Sequence, residues 1–260
     1  MNFPNAGALR ALFIFAAAGV VSRLPAQVTE SPYTVAPGHF LARIDGLKLS
    51  LDRADAAGNT HSAVAVASST LRAGLTQSLD VQIGFDLFLR ETLKRGGARD
   101  SHSGLGDVSL RTKWTFWRDE QHGAAAALLP YVKLPTGTGS VAGKAVEGGL
   151  IIPWAMDTGA GFLAGAMLQW DVVRNDADDG YDGRWYVSAF AQRDLTKAFA
   201  VYGETTIDVR STGFSDWAGT IGAGGLWRFS PNLVFDYELQ RGLNDRAAKW
   251  THIWRVNWGF

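Results

Sequence analysis

From Leu79 to Arg90 apolar and polar side chains alternate almost residue by residue. Leu79, Val81, Ile83, Phe85, Leu87 and Leu89 fall on one face of an extended chain, and Asp80, Gln82, Gly84, Asp86 and Arg90 on the other, with Phe88 the apolar exception. Successive side chains of a strand point to opposite faces, so this period of two predicts a strand that is apolar on one side and wet on the other. Segments near 39–51, 63–74, 106–118, 123–134, 146–156, 160–173, 182–193, 198–209, 218–229, 233–241 and 250–260 read the same way. In one of them Val108, Leu110, Trp114 and Phe116 oppose Ser109, Arg111, Lys113 and Thr115. The pattern is weakest in 123–134 and 218–229, which are rich in Ala and Gly.

The connections alternate in length. Thr76-Gln77, Asp119 to His122, Asp157 to Gly159, Asp194 to Lys197 and Ser230-Pro231-Asn232 read as tight polar turns, while 52–62, 91–105, 135–145, 174–181, 210–217 and 242–249 read as longer loops. Short turns on one rim and long loops on the other are the pattern of a transmembrane barrel, with the short turns periplasmic. Segments of about ten residues suit tilted strands crossing a bilayer. The expected fold is therefore all-β: a transmembrane antiparallel up-and-down barrel of about twelve strands, with short periplasmic turns and longer extracellular loops.

The ends of the chain agree with export. Arg10 followed by the apolar run Ala11 to Val21 resembles a signal peptide, and Leu24-Pro25-Ala26 places cleavage after Ala26. The expected organisation is a removed leader over 1–26, a short periplasmic segment over 27–38 and the barrel over 39–260, located in the outer membrane of a Gram-negative cell. At the other end Trp250, His252, Trp254, Val256, Trp258 and Phe260 alternate to the last residue. Trp254, Val256, Trp258 and Phe260 look like the signal that the barrel-assembly machinery reads, and their rings suit the membrane interface. The expected partners are that machinery during biogenesis and, afterwards, outer-membrane lipid and lipopolysaccharide.

Composition narrows the chemistry. Twenty-five basic and 25 acidic residues cancel, which argues against a nucleic-acid partner, and the absence of cysteine excludes a disulfide framework and thiolate metal sites. No cofactor, metal-binding or catalytic residue is assigned. Ser101-His102-Ser103 suggests a hydrolase by composition alone, with no third group to orient the histidine. Asp176, Asp178 and Asp179 lack the regular ligand spacing of a calcium loop and read as a solvated turn.

Projected from the alternation, the inner face carries Asp80, Gln82, Asp86, Glu147, Asp171, Glu204, Asp208, Asp236 and Glu238 against Arg90, Arg111, Lys113, Lys133, Arg184, Arg210 and Arg255. Two readings stay open. These charges line a pore and set its selectivity, or they pair across strands and fill a barrel narrower than a sixteen-stranded porin.

Gly104-Leu105-Gly106-Asp107-Val108-Ser109-Leu110, Lys113-Trp114 and Leu129-Pro130-Tyr131-Val132-Lys133-Leu134-Pro135-Thr136-Gly137 carry a resemblance. With Leu71 to Val81 and Ser230 to Leu233, they make the chain from about Gly38 to Phe260 similar to the outer-membrane family described as "Putative MetA-pathway of phenol degradation", often called transporters. The resemblance implies a barrel that passes hydrophobic aromatic compounds, and brings no catalytic residues with it. From the residues themselves, the glycines permit a sharp entry from loop to strand, Asp107 can accept backbone hydrogen bonds there, and Pro135 can end strand pairing. The leading expectation is a passive channel for small solutes; the alternatives are a closed structural or adhesive barrel and, third, a barrel-embedded lipid hydrolase.

Overall fold

The computed structural model describes residues 28–54, 58–158, 160–175, 177–211, 213 and 215–260. The expected leader, 1–26, lies outside the described residues. The first strands are β1 (Phe40–Leu51), β2 (Thr60–Gly74), β3 (Leu79–Arg95), β4 (Ala98–Gly104), β5 (Val108–Asp119) and β6 (Ala124–Leu134). There follow β7 (Glu147–Asp157), β8 (Phe162–Arg174), β9 (Tyr181–Asp194), β10 (Phe199–Arg210), β11 (Ala218–Ser230), β12 (Leu233–Gly242) and β13 (Trp250–Gly259).

Each neighbouring pair is antiparallel, and β1 pairs with both β2 and β13, so the sheet closes on itself. Strand β4 pairs only with the distal part of β3 and stands outside the ring, leaving twelve of the thirteen strands in the closed barrel. Closure leaves no unpaired edge among the ring strands, which is what a spanning sheet requires. The Ala- and Gly-rich segments form β6 and β11 as expected, because pairing on both sides supplies what their alternation lacks.

The period of two becomes an inside and an outside. Leu168 and Val187 face each other on the exposed wall, whereas their chain neighbours Met167 and Ser188 are buried. In β13 the buried residues are Thr251, Ile253, Arg255, Asn257 and Gly259, while Trp254, Val256 and Trp258 lie on the other face, with Phe260 just past the strand end. The seam closes there. Phe40 and Phe260 exchange backbone hydrogen bonds of 2.8 and 3.0 Å, and their rings stack 5.7 Å apart.

Two departures from the expected layout meet on β3. The stretch 91–105, expected as a loop, is a hairpin: β3 runs on to Arg95, turns through Gly96 and Gly97 in the left-handed region (φ +55° and +84°), and returns as β4. Below it, the barrel phase changes along one row of residues. Asp45/Leu47 marks a bulge in β1, Ala67 of β2 has φ +52°, and Leu87 and Phe88 of β3 are both exposed although adjacent. A bulge adds a residue to one strand and reverses which face its later side chains take. The apolar Phe88 that interrupts the alternation is its trace in the sequence.

The motifs that carry the family resemblance fold as one unit. The Asp107 carboxylate accepts hydrogen bonds from the Gly137 and Gly143 amides, both 2.9 Å. Thr136 and Thr138 hydroxyls accept from the Val108 and Leu105 amides at 2.9 and 3.0 Å. The glycine-rich entry to β5 and the Pro-Thr-Gly exit from β6 thus fasten each other at the long-loop rim.

Candidate functional site

The segment expected to lie in the periplasm, 27–38, is corrected by the structure: residues 28–35 run inside the barrel as a strap. The strap leaves the lumen at the short-turn rim, where the Gly38 amide donates to the Gly74 carbonyl at 3.1 Å. Its way in is marked by side chains of the inner wall. Asp80 accepts from the Val35 amide at 3.1 Å, Thr115 donates to the Pro32 carbonyl at 2.6 Å, and Thr34 donates to the Gln77 carbonyl at 2.8 Å. At the inner end Glu204 accepts the Val28 and Thr29 amides at 3.0 and 2.7 Å, and also the Thr29 hydroxyl. Nothing periodic in 28–35 announces this, because an extended strap satisfied by side chains needs no pattern of its own.

Glu30 is the strap's electrostatic anchor. Arg72 of β2 contacts both of its carboxylate oxygens, at 2.9 and 2.7 Å, Lys113 of β5 reaches it at 3.3 Å, and Arg111 at 3.8 Å. Lys113 is fully buried and also donates to the Ser31 carbonyl at 2.5 Å. A carboxylate among three cations offsets the cost of keeping each of them from water.

The sixteen residues expected to line the lumen separate into groups. Asp80, Gln82, Lys113 and Glu204 hold the strap, Gln82 by donating to Asp80 at 2.8 Å. Asp236, Glu238 and Arg255 form a belt across the wall. In it Arg255 binds Asp45 at 2.8 Å and Asp236 at 3.2 Å, lies 3.9 Å from Glu238, and Tyr202 donates to Asp236 at 3.0 Å. Arg90 is not brought to the lumen: it is exposed on β3 past the phase change, between Val64 of β2 and Ser103 of β4.

The remaining eight line two cavities on the long-loop side of the strap. The deeper, about 480 Å³, takes in Asp86, Arg111, Lys133, Asp171 and Arg184, with Val28 and Glu30 of the strap on its wall. The outer, about 630 Å³, takes in Glu147, Asp208 and Arg210 and shares Lys133 and Arg184 with the deeper one. Arg184 pairs with Asp208, and Lys133 with Glu147, so the shared residues are fixed by partners on neighbouring strands. At the rim Arg174 and Lys144 donate to Asp178, and those hydrogen bonds hold its carboxyl below the usual carboxylate range.

Arg43, Asp45 and Lys48 also line the deeper cavity and were missed. Their signal was present: Phe40, Ala42 and Ile44 are apolar at even positions, and Leu47, Leu49 and Leu51 at odd ones, a reversal centred on Gly46. Tyr131 and Gln169 were missed as well; both donate to Asp171, at 2.6 and 2.8 Å. The hydrolase arrangement does not form. Asp100 and His102 contact each other at 3.1 Å on one face of β4, and Ser101 and Ser103 occupy alternate positions, with Ser101 bonded to Thr92 instead.

Solved structures share this architecture. The COG4313 outer membrane channel from Pseudomonas putida F1 superposes with a TM-score of 0.66 at 14% identity, covering 88% of this chain and 98% of its own. The transport unit of the autotransporter AIDA-I from Escherichia coli gives 0.51 at 11% identity, with both chains fully covered. The NanC porin gives 0.50 at 10% identity, over 83% of this chain and 97% of its own. At such identities the likeness establishes the barrel fold, and no curated protein matches the chain. The sequence itself goes further: over residues 26–260 it matches the family model described as "Putative MetA-pathway of phenol degradation", and the chain belongs to that family.

Proposed function

We propose that the protein is a passive outer-membrane channel for small solutes, entered from the long-loop rim and narrowed at the short-turn side by the strap. The observation that carries this reading is the pair of polar cavities joined at Lys133 and Arg184, which lead from the loops to the strap at Glu30. A barrel meant only as scaffold gains nothing from an unfilled polar interior, since buried charges are costly unless hydrated or paired. The apolar part of the deeper wall suits solutes with a hydrophobic or aromatic body. The aromatic C-terminal strand supports delivery by the barrel-assembly machinery, and the exposed apolar wall supports residence among outer-membrane lipids.

A second reading, a closed structural barrel, is favoured by the strap itself, which occupies the short-turn half. Conductance in planar bilayers separates the two. The full chain is expected to show small unitary currents, and a variant lacking residues 28–35 larger ones. Silence from both, with folded protein in the membrane, would rule out the channel and leave the structural barrel.

A further inference from the structure

We infer that the deeper cavity is a binding site for a small monocarboxylate with an apolar or aromatic body, anchored by Arg111. The inference deepens the channel reading by naming its solute class, and rests on that reading only for the route by which the solute arrives.

The charges of this cavity can be followed one by one. Five carboxylates line it: Glu30, Asp45, Asp86, Asp107 and Asp171. Four are already engaged: Glu30 by Arg72 and Lys113, Asp45 by Arg255, Asp107 by two loop amides, and Asp171 by Tyr131 and Gln169. Five cations face them: Arg43, Lys48, Lys133, Arg111 and Arg184. Lys133 is taken up by Glu147, Arg184 by Asp208, and Arg43 lies 3.6 Å from Asp45. What is left without a carboxylate at hydrogen-bond distance is Arg111, 3.8 Å from Glu30, with Lys48 on the same cavity wall, and this is where a solute carboxylate would pair.

Arg111 is built to receive it. Its nearest carboxylate, on Glu30, is 3.8 Å away, beyond a good hydrogen bond, and its Nε–H is buried with no acceptor. Its guanidinium sits 5.7 Å from the centre of the Tyr131 ring, and both residues line the cavity. A planar fork so placed matches the two oxygens of a carboxylate. Glu30 already shows that this region of the lumen, between β2 and β5, holds a carboxylate.

The rest of the solute is selected by the adjoining wall, β6 to β9. Ile151 and Met167 belong to a buried apolar cluster with Ala127 and Leu129, and Tyr131 and Tyr186 pack against it. Four of these residues, Ile151, Met167, Tyr131 and Tyr186, reach the cavity surface. A volume of about 480 Å³ is within the range of small-molecule sites. An acid with a ring or short alkyl body can place its head on Arg111 and its body against this wall.

The test is calorimetric titration of the purified full chain in detergent with benzoate, and with benzyl alcohol as the uncharged analogue. Benzoate is expected to bind saturably and benzyl alcohol at least about tenfold more weakly, the size of one charge-assisted hydrogen-bonded contact. Arg111→Gln should weaken benzoate by about tenfold or more and leave benzyl alcohol unchanged, and Lys48→Gln should weaken benzoate less. Arg228→Gln, whose side chain pairs with Asp194 at the short-turn rim, should bind as the native chain does. Heat-modifiable electrophoretic mobility reports that each variant is folded, and Lys48→Gln carries the test should Arg111→Gln not fold. No saturable benzoate binding, equal binding of the alcohol, or indifference to both substitutions would overturn the proposal. Binding is read without current, so a silent bilayer would defeat the channel reading and leave this one standing on its own result.

Discussion

Lys113 Nζ lies 3.3 Å from Glu30 Oε2, joining the middle of β5 to the strap with the lysine side chain wholly out of solvent. Truncating Glu30 strands both Lys113 and Arg72. A buried pair broken on one side typically costs about 3–5 kcal/mol, but here the strap can leave and water can reach the cations. Glu30→Ala is therefore expected to release the strap at a cost below that range. Unitary conductance should rise, and residues 28–35 should become accessible to protease; unchanged currents and protection would contradict the anchoring role.

The strap's exit is sterically defined. A Cβ at Gly74 would stand 2.1 Å from the Ala36 carbonyl oxygen and 2.5 Å from that of Val35, both backbone atoms. Gly74→Ala should thus displace the strap or strain β2, costing about 1–3 kcal/mol of unfolding free energy in urea titrations, as overpacking does. Wild-type stability together with wild-type conductance would show that the close approach is not needed.

The facing assignment can be tested on adjacent residues of β8. Leu168 is on the exposed wall and Gln169 lines the deeper cavity. Leu168→Arg places a charge toward lipid, at a cost of about 2–4 kcal/mol near the midplane. Gln169→Arg, beside Asp171, should fold well and change conductance instead. Equal loss of folded protein for both, measured by heat-modifiable mobility, would show that inside and outside are misassigned.

Asp208 compensates Arg184, which faces both cavities. Asp208→Asn leaves that guanidinium without its counter-charge in the passage. The expected outcome is a shift of the zero-current potential toward anion permeation in a salt gradient, by the logic of charged constrictions. A potential that does not move would place the ion path elsewhere.

Much of the wall is legible in the order of its residues. The alternation around Leu79 to Arg90, and its echoes, located the strands because a closed sheet with lipid outside and water inside must carry a period of two along every strand. Arg90 fell on the wrong side because a single bulge row reverses that period, and periodicity reports only relative facing until something marks the reversal. The β4 hairpin escaped because its exposed residues, Ala98 to Gly104, are polar on both faces and carry no contrast to read.

From the residues alone follow the family, the barrel and the period of two along its strands, since these rest on motifs, local alternation and the lengths of turns and loops. Only the tertiary structure decided what the inward charges do. Glu30 and Lys113 are 83 residues apart, and Asp45 and Arg255 are 210 apart. No local pattern specifies such partners; barrel closure brings them together, and the strap then divides the lumen into a filled half and an open one.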